Sequence, residues 1–265
     1  MTLKEKYGDL ALIAGASEGI GAAYARQLAA EGINLVMIAR KKDQLERFAA
    51  ELTTQYGIVV NCLQEDLADP DAANRIMEHI RDKQIHIFIY NAGNSYIGKF
   101  EEQVWNVHKE IAFTNMITPM QLTHRIAPGM LERGKGAIIF MASLAGFQGT
   151  PFIATYAATK AFDQILAESL WYEWKDRGVD VIACCAGATS SPNFLKTNPG
   201  KQHLLAPKVQ TPEEVVAECL KRIGKTPSFI TGGANKMASF FMKRILSRKK
   251  AVVTMGDTTK KMYRL

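Results

Sequence analysis

Short, mostly apolar runs alternate along this chain with longer segments whose apolar residues recur every three or four positions. The runs at residues 9–15, 33–39, 58–64, 85–90, 136–142 and 179–185 are too short for stable helices and read as strands buried on both faces. Between them, residues 19–31, 42–56, about 103–132 and 153–175 carry helical spacing, with Pro119 a point where the third of these would bend. A further helix is expected to start at Asp69-Pro70, with proline in its first turn. Strand–helix alternation with continuously apolar strands predicts the α/β class: a doubly wound parallel sheet covered by helices on both faces, in three α/β/α layers. A chain of 265 residues, 47% hydrophobic, can bury one full core, and no internal repeat or low-complexity linker divides it.

Charge and composition exclude several classes. No run approaches 18 apolar residues, so no membrane span is expected, and Glu5 and Asp9 interrupt what would otherwise follow Lys4 and Lys6 as a signal peptide. The cysteines Cys62, Cys184, Cys185 and Cys219 show no metal or disulfide-framework spacing and fit small core fillers in a reducing cytoplasm. The five histidines form no HxxxH or Cys-paired motif, so no metal is expected. The net charge of +7 is concentrated at one end: from Lys221 to Leu265 there are twelve Lys/Arg and one acid, Asp257. The preceding chain is net acidic, and no nucleic-acid-binding motif accompanies the basic tail, so no nucleic-acid partner is expected.

The first strand runs into Gly15-Ala16-Ser17-Glu18-Gly19-Ile20-Gly21 and then a helix. Glycines there let the backbone turn tightly and approach a pyrophosphate, which would sit on the free N–H groups of the helix N-terminus. A purely structural glycine turn would look the same in isolation. The second strand ends Ala39-Arg40-Lys41. An acid is usual at this point to hold a ribose 2′-hydroxyl; Ala39 removes it, while Arg40 and Lys41 suit a 2′-phosphate, or else are two solvated charges opening a helix. Asp66-Leu67, after the third strand, would lie near an adenine edge, although Asp66 also suits a turn. Asn91-Ala92-Gly93 follows the fourth strand, at the carboxyl end of the sheet where ligands bind in this architecture.

Tyr156 and Lys160 are four apart, on one face of a helix, beneath Ser143-Leu144-Ala145-Gly146. A positive charge beside a phenol favours the phenolate, but moving a tyrosine from about 10 to about 7 takes roughly 4 kcal/mol, more than one solvated lysine supplies. A second cation, such as an oxidised nicotinamide ring, would complete the shift. Asn115 falls inside a helix, where asparagine is a poor former; it either bonds to local backbone or holds a water that relays protons to Lys160.

Taken together, Gly15-x-x-x-Gly19-x-Gly21, Asp66, Asn91-Ala92-Gly93, Asn115, Ser143 and Tyr156-x-x-x-Lys160 resemble the short-chain dehydrogenase/reductase family over nearly the first 190 residues. The resemblance implies a Rossmann-type domain over 1–230 with an inserted substrate loop at about 187–210, followed by a basic C-terminal extension over 231–265. It implies NADP as cofactor, held by the glycine loop, Arg40, Lys41, Asp66, Leu67, Asn91, Ala92, Gly93, Tyr156, Lys160, Gly187 and Thr189. It makes Tyr156 the general acid/base, Ser143 the group that orients the substrate oxygen, Lys160 the lysine that lowers the tyrosine pKa and binds the nicotinamide ribose, and Asn115 the holder of a relay water. Pairing into a homodimer or homotetramer through the helices at 103–132 and 153–175 is also implied. Three positions depart from the family pattern: Glu18 stands where a basic residue often helps hold NADP, Ala142 replaces the first of two serines, and Ala186 replaces a proline before Gly187.

The residues expected to line the substrate pocket are Leu144, Phe147, Phe152, Ile153, Phe194, Leu195, Leu204 and Leu205, together with Ser143 and Tyr156. Apart from those two, the lining is apolar, which favours a bulky apolar ketone or alcohol, although each residue could equally be core. The opening Leu3-x-Glu5-Lys6-Tyr7-Gly8, the segment from Ala186 through Pro192, Asn235-Lys236 and Met255-Gly256 resemble bacterial hydroxysteroid dehydrogenases of the bile-acid 7β-type. The enzyme alternative is a 3-oxoacyl or general carbonyl reductase. A non-catalytic dinucleotide sensor with a partner-binding tail is the alternative of another class. Residues 237–253 read as one basic helix with Phe240, Phe241, Ile245 and Leu246 on its apolar side, expected to pack on the domain, close over the substrate, contact another subunit or meet an anionic membrane.

Overall fold

The computed structural model describes residues 1–197 and 209–265. Seven strands, β1 (Leu10–Ala14), β2 (Asn34–Ala39), β3 (Val60–Gln64), β4 (Ile87–Tyr90), β5 (Gly136–Ser143), β6 (Val179–Ala186) and β7 (Ser228–Ile230), form one parallel sheet in the order β3-β2-β1-β4-β5-β6-β7. A short helix, α1 (Leu3–Tyr7), precedes β1, and side chains alternate across the sheet. Ala11, Ile13, Leu35, Met37, Ile139 and Ile182 face helices α2 (Gly19–Ala30), α3 (Lys42–Tyr56) and α9 (Pro212–Arg222). Their neighbours Leu12, Val36, Phe88, Ile138, Phe140 and Val181 face α4 (Ala72–His79), α6 (Thr118–Arg133) and α7 (Ala154–Trp174). Each such side chain contributes about 1.5–3 kcal/mol of apolar burial, which is why the strands read as unbroken apolar runs. All four cysteines are free thiols. No helix among the described residues is long and apolar enough to cross a membrane.

Four boundaries differ from the sequence expectation. The helix expected at Asp69-Pro70 begins at Ala72, because Asp69 instead takes the Asp71 N–H on its side chain in a turn. The long helix expected over 103–132 starts only at Trp105 and is divided into α5 (Trp105–Ala112), a π turn at Phe113–Ile117, and α6. Pro119 lacks the N–H that would close on the Asn115 carbonyl, and the backbone widens into a π turn just before it. Strand β7, three residues long, was too short to show any period. The basic tail is two helices, α10 (Gly233–Arg244) and α11 (Arg248–Tyr263), rather than one over 237–253. Ser247 adopts an extended backbone between them, and its hydroxyl accepts the Lys250 N–H as a new N-cap.

The tail is tied to the domain. Buried Asn235 donates through Nδ2 to Thr231 O at 2.9 Å and Gln210 Oε1 at 3.3 Å, and Lys236 pairs with Glu218 at 2.6 Å. Arg248 donates to the Phe147 carbonyl at 2.8 Å, which lays α11 against the segment that follows β5.

Candidate active site

The order of the sheet sets the location. Strands β1 and β4 are neighbours, and the chain winds away from them in opposite directions, so the loops leaving their carboxyl ends face each other across a crevice. Asn91 bridges them by donating Nδ2 to the Gly15 carbonyl at 2.8 Å. Glycine is obligatory on the other side of this contact. Gly15 has φ +79°, and a Cβ there would lie 2.8 Å from Ala92 backbone, while one at Gly21 would lie 1.9 Å from Gly15 O. Glu18 is the N-cap of α2 but makes no side-chain cap bond, leaving the first-turn amides of Gly19, Ile20 and Gly21 without a side-chain acceptor from it. This glycine-lined helix N-terminus, with amides uncapped from within, fits the pyrophosphate of a dinucleotide.

Arg40 and Lys41 are exposed at the end of β2 and form no ion pair among the described residues. Gln44, one turn into α3, donates to the Ser17 carbonyl at 3.1 Å and ties this basic corner to the glycine loop. A cavity of about 780 Å³ opens beside them, lined in part by Ser17, Glu18, Gln44, Arg47 and Ser190. It borders the phosphate end of the crevice and does not reach Tyr156. Asp66 uses one carboxylate oxygen to accept the Ala68 N–H, as a turn residue does, and its other oxygen faces no described donor. Leu67 is core: its side chain is buried and its carbonyl accepts the Thr118 hydroxyl at 2.9 Å.

Ser143 closes β5 opposite Ala186 of β6, and its hydroxyl accepts the Ala145 N–H at 3.2 Å in the 3-10 turn Leu144–Phe147. Tyr156 and Lys160 lie one helical turn apart on α7, with Lys160 Nζ 5.9 Å from the centroid of the Tyr156 ring. The ammonium is buried and already engaged, donating to Met141 O at 2.7 Å and to Asp163 Oδ2 at 2.9 Å. Burial works against its charge, but the Asp163 carboxylate, followed by Tyr156, outweighs that and holds the Lys160 pKa above its usual value. Burial likewise pushes the Asp163 carboxyl up, opposed by Lys160. Gly93 lies within reach of both Asn115 and Lys160.

Asn115 sits in the π turn, completely buried, and its side chain is engaged by protein groups. Oδ1 accepts the Asn94 N–H at 2.8 Å, and the two amide hydrogens go to Asn94 O at 2.9 Å and Thr159 Oγ1 at 3.0 Å. It clamps the loop after β4 to α7.

The apolar residues expected around the substrate divide into three groups. Leu144, Phe147, Phe152 and Ile153 form the stretch between Ser143 and Tyr156, partly buried. Phe152 holds a left-handed backbone (φ +69°), an unfavourable conformation for a residue with a Cβ, and its carbonyl accepts the Gly98 N–H. Phe147 lies under α10, with Lys243 Nζ 3.2 Å from its ring centroid, so one of its faces is covered by the tail. Phe194 and Leu195 stand on the short helix α8 (Pro192–Lys196), Leu195 largely exposed. Gly187 and Thr189 follow β6, and Thr189 forms an isolated parallel bridge with Gln210. Leu204 and Leu205 lie outside the described residues.

Four participants were missed by sequence reasoning. Thr159 and Gln44 gave no signal. Tyr263, near the end of α11, has its phenol pushed up by burial, with Thr197 opposing and Tyr156 adding. Asp163 was legible as the i+3 neighbour of Lys160 on one helix face. No cluster of His, Cys, Asp or Glu suited to a metal occurs among the described residues.

Comparison with known proteins agrees with this geometry. The family model for short chain dehydrogenases matches residues 9–202. The 7beta-hydroxysteroid dehydrogenase of Mediterraneibacter gnavus is 33% identical over 238 residues, covering 89% of this chain and 90% of that protein. A solved 7beta-hydroxysteroid dehydrogenase superposes with a TM-score of 0.91 at 30% identity, over 96% of this chain and 99% of its own. A short-chain dehydrogenase from Sphingobium yanoikuyae in complex with NADPH superposes with a TM-score of 0.76 at 32% identity, over 84% and 87% of the two chains. The chain therefore belongs to the short-chain dehydrogenase/reductase family, oxidoreductases that interconvert hydroxyl and carbonyl groups with a nicotinamide dinucleotide.

Proposed function

We propose that the protein is an NADP(H)-dependent oxidoreductase interconverting a bulky apolar ketone and its secondary alcohol, with a hydroxysteroid of the bile-acid type as substrate class. The observation that carries this reading is the placement of Ser143 at the carboxyl end of β5, with Tyr156 and Lys160 one turn apart on α7 and the Lys160 ammonium bonded to Met141 O of that same strand. The 7beta-hydroxysteroid dehydrogenases among its relatives support the substrate class, and the NADPH complex among its structural neighbours supports the cofactor. Exposed and without ion-pair partners among the described residues, Arg40 and Lys41 supply the charge that a 2′-phosphate needs.

A bound nicotinamide dinucleotide supplies the hydride. The chain's own groups manage the oxygen. Ser143 donates a hydrogen bond that orients the carbonyl, and Tyr156 gives its phenolic proton as negative charge develops there. In the reverse direction the phenolate of Tyr156 takes the proton of the alcohol. Lys160 stabilises that phenolate, and Asn115 keeps the loop after β4 in register with α7. The α10–α11 tail, laid against Phe147, excludes water from one side. On this reading residues 1–230 form the catalytic domain, with the substrate loop at 187–210, and residues 231–265 an extension that helps wall the pocket. Exposed Val104, Trp105, Ile165 and Tyr172, on or beside α5 and α7, suit a homo-oligomer contact, and four free cysteines suit the cytoplasm.

The test is an NADPH-oxidation screen across ketosteroids, acyl thioesters and simple ketones, followed by Tyr156→Phe on the best substrate. The variant is expected to bind NADPH normally and to lose turnover by at least about a hundredfold. Equal turnover by variant and wild type refutes the mechanism, and preference for an acyl thioester refutes the substrate class.

A further inference from the structure

Behind the catalytic pair stands a carboxylate that this mechanism does not use. Asp163 is 1% exposed, and its Oδ2 lies 2.9 Å from Lys160 Nζ. Its other oxygen, Oδ1, is buried without a partner among the described residues. Packing gives no reason for a charge at this position: a buried ion pair is on average no more stable than apolar residues of the same volume, and an unpartnered oxygen adds cost. The arrangement is directional as well. Met141 O on β5 and Asp163 one turn further along α7 take two of the three ammonium hydrogens, leaving one for Tyr156 and the cofactor ribose.

We propose that Asp163 is a positioning residue acting through Lys160: as a buried counter-ion it draws the ammonium back and cancels part of the charge that would otherwise favour the Tyr156 phenolate, biasing the site toward the proton-donating form that carbonyl reduction needs. The overall equilibrium of the reaction is untouched; what changes is the fraction of enzyme in the form that donates a proton rather than accepts one. The inference rests on the assignment of Tyr156 as acid/base.

The other groups facing this cluster do not mask the effect. Tyr90 on β4 is a buried phenol whose pKa burial and then Asp163 push well above the usual value, so it stays neutral. Cys185 on β6 is a thiol pushed up to about 12 by burial and then Glu168, and is neutral too. Within α7 itself, Thr159 is uncharged and bonded to Asn115, and Glu168 lies two turns further along, bonded to Gln164 and Ser228. Tyr263 on α11 has its phenol pushed up by burial, and Lys243 on α10 sits over Phe147. Asp163 is thus the nearest anion to Lys160 in the described structure.

The experiment is an ultraviolet titration of the tyrosinate band in the cofactor-free protein, with the Tyr156→Phe trace subtracted to isolate Tyr156. In Asp163→Asn the Tyr156 midpoint is expected to fall by about one pH unit, the size of effect that a full charge about 10 Å away, the rise of seven helical residues, exerts at an effective dielectric near 20. The rising limb of the pH profile for alcohol oxidation should move down by the same amount. Asp163→Ser removes the same charge and stands in if the amide variant does not fold. An unchanged midpoint in the folded variant overturns the proposal, and so does a loss of turnover with neither titration displaced, which would mark a merely structural role. The cofactor-free titration needs no substrate, so its failure is separable from failure of the oxidoreductase assignment.

Discussion

Gly146 lies in the turn after Ser143, pressed against the backbone of the catalytic helix. A Cβ at this position would sit 2.6 Å from Ala161 N, 2.7 Å from Lys160 C and 3.0 Å from Ala161 Cα. All three are main-chain atoms of α7 and cannot rotate away. Ordinary contact begins at 3.4 Å, so Gly146→Ala forces the turn and the helix apart by roughly 0.8 Å. Overpacking of this kind costs about 1–3 kcal/mol; at about 2 kcal/mol the thermal midpoint of a domain this size falls by about 4–8 °C. The larger effect is catalytic. Ser143 rides on the turn and Tyr156 and Lys160 on the helix, and misplacing reacting groups by nearly 1 Å costs about 10- to 100-fold in kcat/KM. Thermal unfolding by circular dichroism and steady-state NADPH oxidation read the two effects. Gly149→Ala is the control: its Cβ would meet only Val252 methyl groups, at 3.4 and 3.7 Å, and should leave both readings near wild type. A Gly146→Ala protein with unaltered midpoint and activity would refute the close-packing argument.

Arg40→Ala should weaken NADPH by about 10- to 100-fold, the value of a charge-assisted phosphate contact, with little effect on NADH; fluorescence titration with both cofactors checks it, and an equal loss on both contradicts the phosphate role. Asn115→Ala removes the partners of the Asn94 N–H and carbonyl and one of the two bonds of the Thr159 hydroxyl, and should cost about 2 kcal/mol in urea unfolding as well as loosening cofactor binding. His86 gives a pH dependence of known sign. Burial, reinforced by Arg133, holds its pKa below the usual value, and its Nδ1 accepts the Leu10 N–H as a neutral ring. The unfolded chain therefore takes up this proton first, so stability is complete above the ordinary histidine pKa of about 6.5 and declines as pH falls through it. Thermal midpoints measured across that range should fall in the wild type and fall less in His86→Gln.

The features legible in the sequence were those whose signal is local. Six of the seven strands are runs that only a sheet covered on both faces can bury, and their alternation settled the doubly wound class. The glycine loop and the Tyr156–Lys160 pair announced themselves because tight turns and one-turn helical spacings are written in adjacent residues. The misreadings arose where a distant part of the chain decides. Residues 237–253 have a continuous helical pattern, but Ser247 caps a second helix because α11 is drawn onto Phe147 by Arg248, a hundred positions from its partner. The partners of the Asn115 side chain, Asn94 and Thr159, come from different elements, and only the fold assembles them.

By itself, the sequence determined the sheet and pointed to the dinucleotide crevice and the Tyr156–Lys160 pair, because periodicity and turn chemistry follow from short-range sterics. The tertiary structure alone decided the electrostatic setting of those groups. Lys160 was visible as the partner of Tyr156. That its ammonium is held from behind by Met141 O and Asp163, in a place where water cannot screen the charges, depends on β5 and α7 packing face to face. Coulombic strength depends on burial and distance, and neither is set until the layers close.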